Sequence, residues 1–160
     1  MTERTLVLLK PDAVQRCFAG EIISRFEKVG LKIVGMKMVW VDAKFTREHY
    51  AEHVHKPFYP ALESLLTMGP VVAMVLEGVE AIALVRKMVG ATEPKMSAPG
   101  TIRGDYAHVS YAYADAKKMG MKNLIHASDS AVSAKKEVAL WFKESEMHTY
   151  RTVHDQHILG

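Results

Sequence analysis

The sequence predicts an α+β fold of split βαββαβ form, a four-stranded antiparallel sheet with helices packed on it. Three observations point there. Along the 160 residues, apolar patterning runs strand, helix, strand, two short helices, then strand, helix, long loop, strand and helix. Segments 5–10 (TLVLLK) and 70–78 (PVVAMVLEG) are continuous apolar runs of strand length, suited to central strands covered on both faces. The turn after the first run is Lys10-Pro11-Asp12, whereas the rival doubly wound parallel sheet would carry a glycine-rich turn there.

Each element has its own justification. After the first strand, Ile22, Ile23, Phe26 and Val29 recur at helical spacing, and Gly30 suits the position just past a helix end. Segment 31–41 (LKIVGMKMVWV) alternates as a strand, with Val34, Met36, Met38 and Trp40 on one face and Lys37 on the other. Thr46 is placed to cap a helix over 47–54. Pro60 opens a second short helix that Gly69 ends. Ala81, Leu84, Val85 and Met88 form the stripe of a helix ending at Gly90. Segment 90–105 (GATEPKMSAPGTIRGD) reads as a long ordered loop. Beyond the strand at 123–126, Asp129 or Ser130 caps a helix with Ala131, Ala134, Val138 and Trp141 inward.

No repeat or linker divides the chain, so a single domain spanning 1–160 is expected. No apolar run approaches a membrane span, and the short apolar stretch before Lys10 is too brief for a signal peptide. One cysteine, Cys17, precludes an intrachain disulfide and suits a reducing cytoplasm. The net charge of +3 fits an anionic substrate or carries no message at all. Nucleic acid is disfavoured as a partner because no strand carries the aromatic pattern of an RNA-binding sheet.

The chemistry gathers around NLIHASDS (123–130), where a strand delivers His126 immediately before a helix start. A lone strand histidine is most often structural. A neutral imidazole can also attack phosphorus if one nitrogen is free and the other is held, and Glu137 on the next helix is a suitable partner. Lys10, Arg86 and Arg103 come from three different elements and together could clamp a polyphosphate, with Thr92 and Thr101 adding hydroxyl donors. Tyr50 and Phe58 are either core or the walls of a nucleotide cleft. His49 and His53 have the spacing of two metal ligands, but the intervening residues break the zinc-protease pattern, so a solvent-facing helix is expected. The RGD at 103–105 matches a cell-adhesion tripeptide by coincidence. The segment 147–160 reads as an extra, polar and partly mobile tail.

Taken in order, ERTLVLLKPDAVQR, HYAEH with KPFYPAL, GPVVAMVLEG, PGTIRGDY and NLIHASDS followed by Glu137 resemble a nucleoside diphosphate kinase over about residues 3–146. That resemblance implies a ferredoxin-like fold and ping-pong transfer of a γ-phosphoryl group from a nucleoside triphosphate to a nucleoside diphosphate through a phosphohistidine. It implies that His126 is the phosphorylated residue, with Tyr50 beside it, Glu137 orienting it and Ser128 nearby. Lys10 and Asn123 then meet the ribose 3′-hydroxyl, and Lys10 also the phosphates. Arg86, Thr92 and Arg103 bind phosphates, while Phe58 and Leu62 clamp the base. Mg²⁺ is expected on the nucleotide's phosphates rather than in a protein site. A homo-oligomer is implied, a hexamer in preference to a tetramer.

The chain departs from that pattern at Ala13, Cys17 and Ala127, where glycine is usual, and in segment 106–122, which is longer than the usual connection. The insertion is expected to be a surface excursion, its tyrosines available to a neighbouring subunit. With no side chain evidently placed to read a base edge, weak discrimination among bases is expected.

Overall fold

In a computed structural model describing residues 2–160, the four strands form one antiparallel sheet in the order β2-β3-β1-β4. The chain runs β1 (Thr2–Leu9), α1 (Pro11–Gln15), α2 (Ala19–Lys28), β2 (Lys32–Val39), α3 (Ala43–His49), α4 (Tyr59–Thr67) and β3 (Val71–Val79). It continues through α5 (Ala81–Val89), α6 (Ile102–Tyr106), α7 (Tyr111–Ala116), β4 (Ile125–Ala127), α8 (Ala131–Trp141) and α9 (Val153–Ile158). This is the expected α+β sheet.

The two apolar runs are the inner strands, β1 and β3, paired antiparallel from Thr2↔Val79 to Leu9↔Val72. Both of their faces are buried, which is why they lack polar alternation. On one face Val7, Leu9, Val72, Met74 and Leu76 meet Ile22 and Phe26 of α2 and Val85 and Val89 of α5. On the other, Leu6, Leu8, Val71, Ala73 and Val75 meet Leu66 of α4 and Trp141 of α8. Removing a fully buried side chain such as Leu8 or Phe26 costs about 2–5 kcal/mol. β4 pairs with β1, placing His126 opposite Leu8. Side chains alternate across a strand, so Ile125 and Ala127 enter the α2/α5 core while His126 faces the α3/α8 layer.

Several local expectations are corrected. The helix placed at 47–54 instead begins at Ala43, because the Asp42 side chain accepts the Phe45 N–H at 2.8 Å. Thr46 lies buried inside it, its hydroxyl donating to the Asp42 carbonyl. Val34 does not share a face with Met36, Met38 and Trp40: it is buried against Trp141 and Phe142, whereas they are 55%, 60% and 69% exposed. β2 is an edge strand, and a register shift between Ile33 and Gly35 turns the residues after it onto the other side of the sheet. Segment 90–105 is not bare loop, since it holds a 3₁₀ turn at Pro94–Met96 and the start of α6. Ser130 caps α8, and Ala131 of its expected inner stripe is exposed.

The tail is folded back rather than loose. His148 N–H donates to the Val34 carbonyl at 2.7 Å, Lys32 pairs with Asp155 at 2.9 Å, and Tyr150 donates to the Ile33 carbonyl. Gly30, at φ 82°, ends the α2 turn, and a β-carbon there would collide with Ile158 of α9. No helix among the described residues is long and apolar enough to cross a membrane.

Candidate active site

His126 forms part of the wall of a cleft of about 720 Å³. Lys10, Tyr50, Phe58, Leu62, Arg86, Thr92, Arg103, Asn123 and Glu137 line the same cleft, so all ten residues expected at the site converge. This volume suits a small-molecule ligand.

The imidazole is oriented from behind. Its Nε2 lies 3.0 Å from Glu137 Oε1, and the Ser128 hydroxyl donates to the other carboxylate oxygen. Burial opposes the charge on Glu137, yet the bonds from His126 and Ser128 outweigh it and hold the carboxyl below its usual range. A carboxylate accepts only, so Nε2 carries the proton and Nδ1 keeps its lone pair. Tyr50 stands edge-on to the imidazole, ring centres 6.2 Å apart. Burial, reinforced by the nearby Glu137 charge, pushes the Tyr50 phenol well above its usual range, so it remains a neutral donor.

His49 was expected to face solvent and instead packs against the site. Its ring lies edge-on to His126 with centres 4.8 Å apart, and its Nδ1 accepts from Trp141 Nε1 at 3.1 Å. Burial, with His126 adjacent, lowers its pKa to about 3, so it stays neutral. His49, His126 and Glu137 place ligand atoms within 4.8 Å of one another. The bond from Trp141 fixes the His49 proton on Nε2, which makes that nitrogen a donor rather than a metal ligand. Helical periodicity could not reveal this, because the partner that draws His49 inward, Trp141, lies 92 positions along the chain.

The cationic side of the cleft divides into fixed and free groups. Arg103 is buried and makes four bonds to carbonyls: Asn123 at 3.1 Å, Ala91 at 3.1 Å, Gly90 at 3.3 Å and Ile125. One of its five N–H groups remains for a ligand. Burial and the neighbouring Arg86 lower its pKa to about 10, leaving it charged at neutral pH. Among the described residues Arg86 makes only a long 3.4 Å bond, to the Ala127 carbonyl. Lys10 is buried and donates to the Met121 carbonyl at 3.0 Å, with two ammonium protons left over. Asn123 donates to the Thr92 carbonyl at 2.7 Å, while its own side-chain oxygen is buried without a partner among the described residues. Thr101 is not in the cleft lining; its hydroxyl caps α6, accepting the Gly104 N–H at 3.0 Å. Asp105 of the RGD tripeptide is tied to Arg25 at 2.6 Å, and its arginine is the buried Arg103.

A nucleoside diphosphate kinase family model matches residues 3–147. The chain belongs to this family. A nucleoside diphosphate kinase of Pyrococcus horikoshii is 57% identical over 150 residues, covering 93% of this chain and 90% of that one. One from Archaeoglobus fulgidus is 51% identical, covering 91% and 89%. A solved transition-state mimic of nucleoside-diphosphate kinase from Borrelia burgdorferi, with bound vanadate and ADP, superimposes at a TM-score of 0.92 with 41% identity. It covers 97% of this chain and 95% of that chain. A Halobacterium salinarum nucleoside diphosphate kinase in complex with CDP gives 0.88 at 42% identity, with 98% of each chain covered. The chain is therefore a phosphotransferase that moves the γ-phosphoryl group of a nucleoside triphosphate to a nucleoside diphosphate.

Proposed function

We propose that His126 Nδ1 is the nucleophile of this transfer and carries the phosphoryl group between two half-reactions. The observation that supports it most is the bond from Nε2 to Glu137, which leaves Nδ1 open to the cleft. In the first half-reaction Nδ1 attacks the γ-phosphorus in line and the nucleoside diphosphate leaves. The imidazolium so formed keeps its Nε2 proton bonded to Glu137. A second nucleoside diphosphate then takes the phosphoryl group by the reverse path.

Arg86 and the free N–H of Arg103 would bind the phosphate oxygens, with Thr92 supporting them. Lys10 and the Asn123 side-chain oxygen would meet the sugar hydroxyl, one as donor and one as acceptor, and Lys10 would also reach the phosphates. Phe58 and Leu62 supply a ring face and an apolar contact for the base. Mg²⁺ would arrive on the nucleotide and spread the charge of the transferring group. Its preference for oxygen ligands suits phosphates better than the imidazole-rich surroundings of His126.

We further read residues 1–160 as one domain of a homo-oligomer, a hexamer in preference to a tetramer. The uncovered apolar row Met36, Met38 and Trp40, on and just past the edge strand β2, supports self-association. The lone exposed thiol of Cys17 suits a reducing cytoplasm.

The test is labelling with γ-labelled ATP in the absence of acceptor. The chain should retain acid-labile, alkali-stable phosphate that chases onto GDP as GTP. Undiminished label in His126→Ala would overturn the assignment.

A further inference from the structure

We infer that Asp115, presented by α7 of the 106–122 insertion, reads the base of the bound nucleotide and favours guanine. This rests on the placement of the base at Phe58 and Leu62 proposed above.

The insertion is not the surface excursion expected from sequence; it is a wall of the cleft. Tyr111, Ala114, Asp115 and Gly120 all line the cavity, together with Phe58 and Leu62. The wall is held at both ends. At its start Ser110 caps α7, Tyr111 N–H donates to Glu93 at 2.9 Å, and Lys95 N–H donates to the Val109 carbonyl. Ala114 is 3% exposed. At its end the chain lies so close to α4 that a β-carbon on Gly120 would sit 2.5 Å from the Ala61 carbonyl oxygen. Only glycine permits that approach. Lys10 fixes the following Met121 carbonyl.

This anchoring orders the wall along the cleft. Tyr111 is tied through its N–H to Glu93, the neighbour of Thr92, at the phosphate end. Gly120 packs on α4, which contributes Leu62 just after Phe58 at the base end. Asp115 lies one helical turn beyond Tyr111, between the two. Its carboxylate forms no ion pair and no side-chain hydrogen bond among the described residues.

Phe58 and Leu62 grip any base by its flat face, so they cannot discriminate. A carboxylate can, because it only accepts. Guanine presents two adjacent donors, N1–H and the exocyclic amine, which match two carboxylate oxygens. Adenine and cytosine present one amine beside a nitrogen lone pair that repels the carboxylate. Uracil presents one N–H between two carbonyls. The order of preference follows: guanine first, uracil and adenine behind it.

The experiment is calorimetric affinity of the intact chain for GDP, ADP and UDP, alongside Asp115→Ala and Asp115→Asn. Paired base-edge contacts of this kind discriminate roughly 5- to 150-fold, and solvent exposure places Asp115 near the low end, about tenfold for GDP over UDP. Asp115→Ala should erase that ratio by weakening GDP. Asp115→Asn, which presents one donor and one acceptor, should move the preference towards ADP. A GDP-to-UDP ratio near one in the unmodified chain, or one that survives Asp115→Ala, overturns the inference. Binding does not require phosphoryl transfer, so failed labelling of His126 would sink the proposed nucleophile and leave this measurement standing.

Discussion

The carboxylate of Asp12 accepts the backbone N–H of Leu124 at 2.9 Å, joining residues 112 positions apart two residues before His126. Leu124 is fully buried with φ 72°, in the left-handed region that a branched side chain rarely adopts. It is the centre of a tight turn in which Ile125 N–H donates to the Asn123 carbonyl at 2.8 Å. Arg103 grips the carbonyls on either side, Asn123 and Ile125, and Lys10 N–H holds the Leu124 carbonyl at 2.8 Å. A strained conformation persists only where its surroundings over-determine it. Here the strain sits where β4 is aimed at the cleft.

Asp12→Ala should therefore lose both stability and turnover. Leaving the Leu124 N–H buried and unpaired costs about 1–3 kcal/mol, measurable by urea denaturation. The damage should fall on kcat more than on KM, because the nucleotide's own contacts survive while His126 is misaimed. Asp12→Asn, which keeps an acceptor, should recover most of both. A normal kcat in Asp12→Ala would show that the turn holds without its clamp.

Glu137 makes a separable contribution. Glu137→Gln preserves shape but offers an amide that can donate to Nε2, which favours the tautomer with the proton on Nδ1. Turnover should fall on the order of 10²-fold with KM little changed. The linkage runs on the acid side: a carboxyl held below its usual range stabilises the fold above that range. The contribution is lost as pH falls through the folded value. The variant's acid unfolding should be correspondingly less steep, and an unchanged acid limb would contradict the bonding described.

Much of this was legible in the chain, and the failures have physical causes. β1 and β3 were readable because a strand covered on both faces must be apolar throughout, and Leu6 to Leu9 are fully buried. Converging site residues were readable through the family motifs, which position Lys10, Arg103 and His126 on three elements. The face of β2 misled because alternation fixes sidedness only relative to a register, and the shift between Ile33 and Gly35 changes it. The 106–122 wall was missed because its packing rests on small residues, Ala114 in α7 and Gly120 beyond it, which leave no apolar stripe. His49 was misread because Trp141, 92 positions away, is what draws it inward.

The β2 edge carries its own prediction. Met36 and Met38 stand more than half exposed on an edge strand, beyond the Ile33 and Val34 carbonyls that the tail bonds. Met36→Lys with Met38→Lys adds two charges to this row at no cost to the core. Light scattering should show a smaller assembly than the parent, with the secondary structure retained. An unchanged mass would move the subunit contact elsewhere on the surface.

Lys10 provides the pH dependence. Burial, only partly offset by Asp12 and reinforced by Arg103, lowers its pKa from 10.5 to about 8. In the free enzyme the ammonium therefore discharges as pH rises through about 8, removing a cation from the phosphate cleft. The ratio kcat/KM reports free-enzyme ionisations, so it should decline on an alkaline limb near pH 8, and kcat should decline later because bound phosphates retain the proton. Stability moves the opposite way. Between about 8 and 10.5 the unfolded chain holds more of this proton than the folded one, so this group's contribution to stability rises with pH. Lys10→Gln should lower kcat/KM throughout and flatten the limb. A limb that persists unchanged in Lys10→Gln assigns it to another group and removes Lys10 from the phosphate contact.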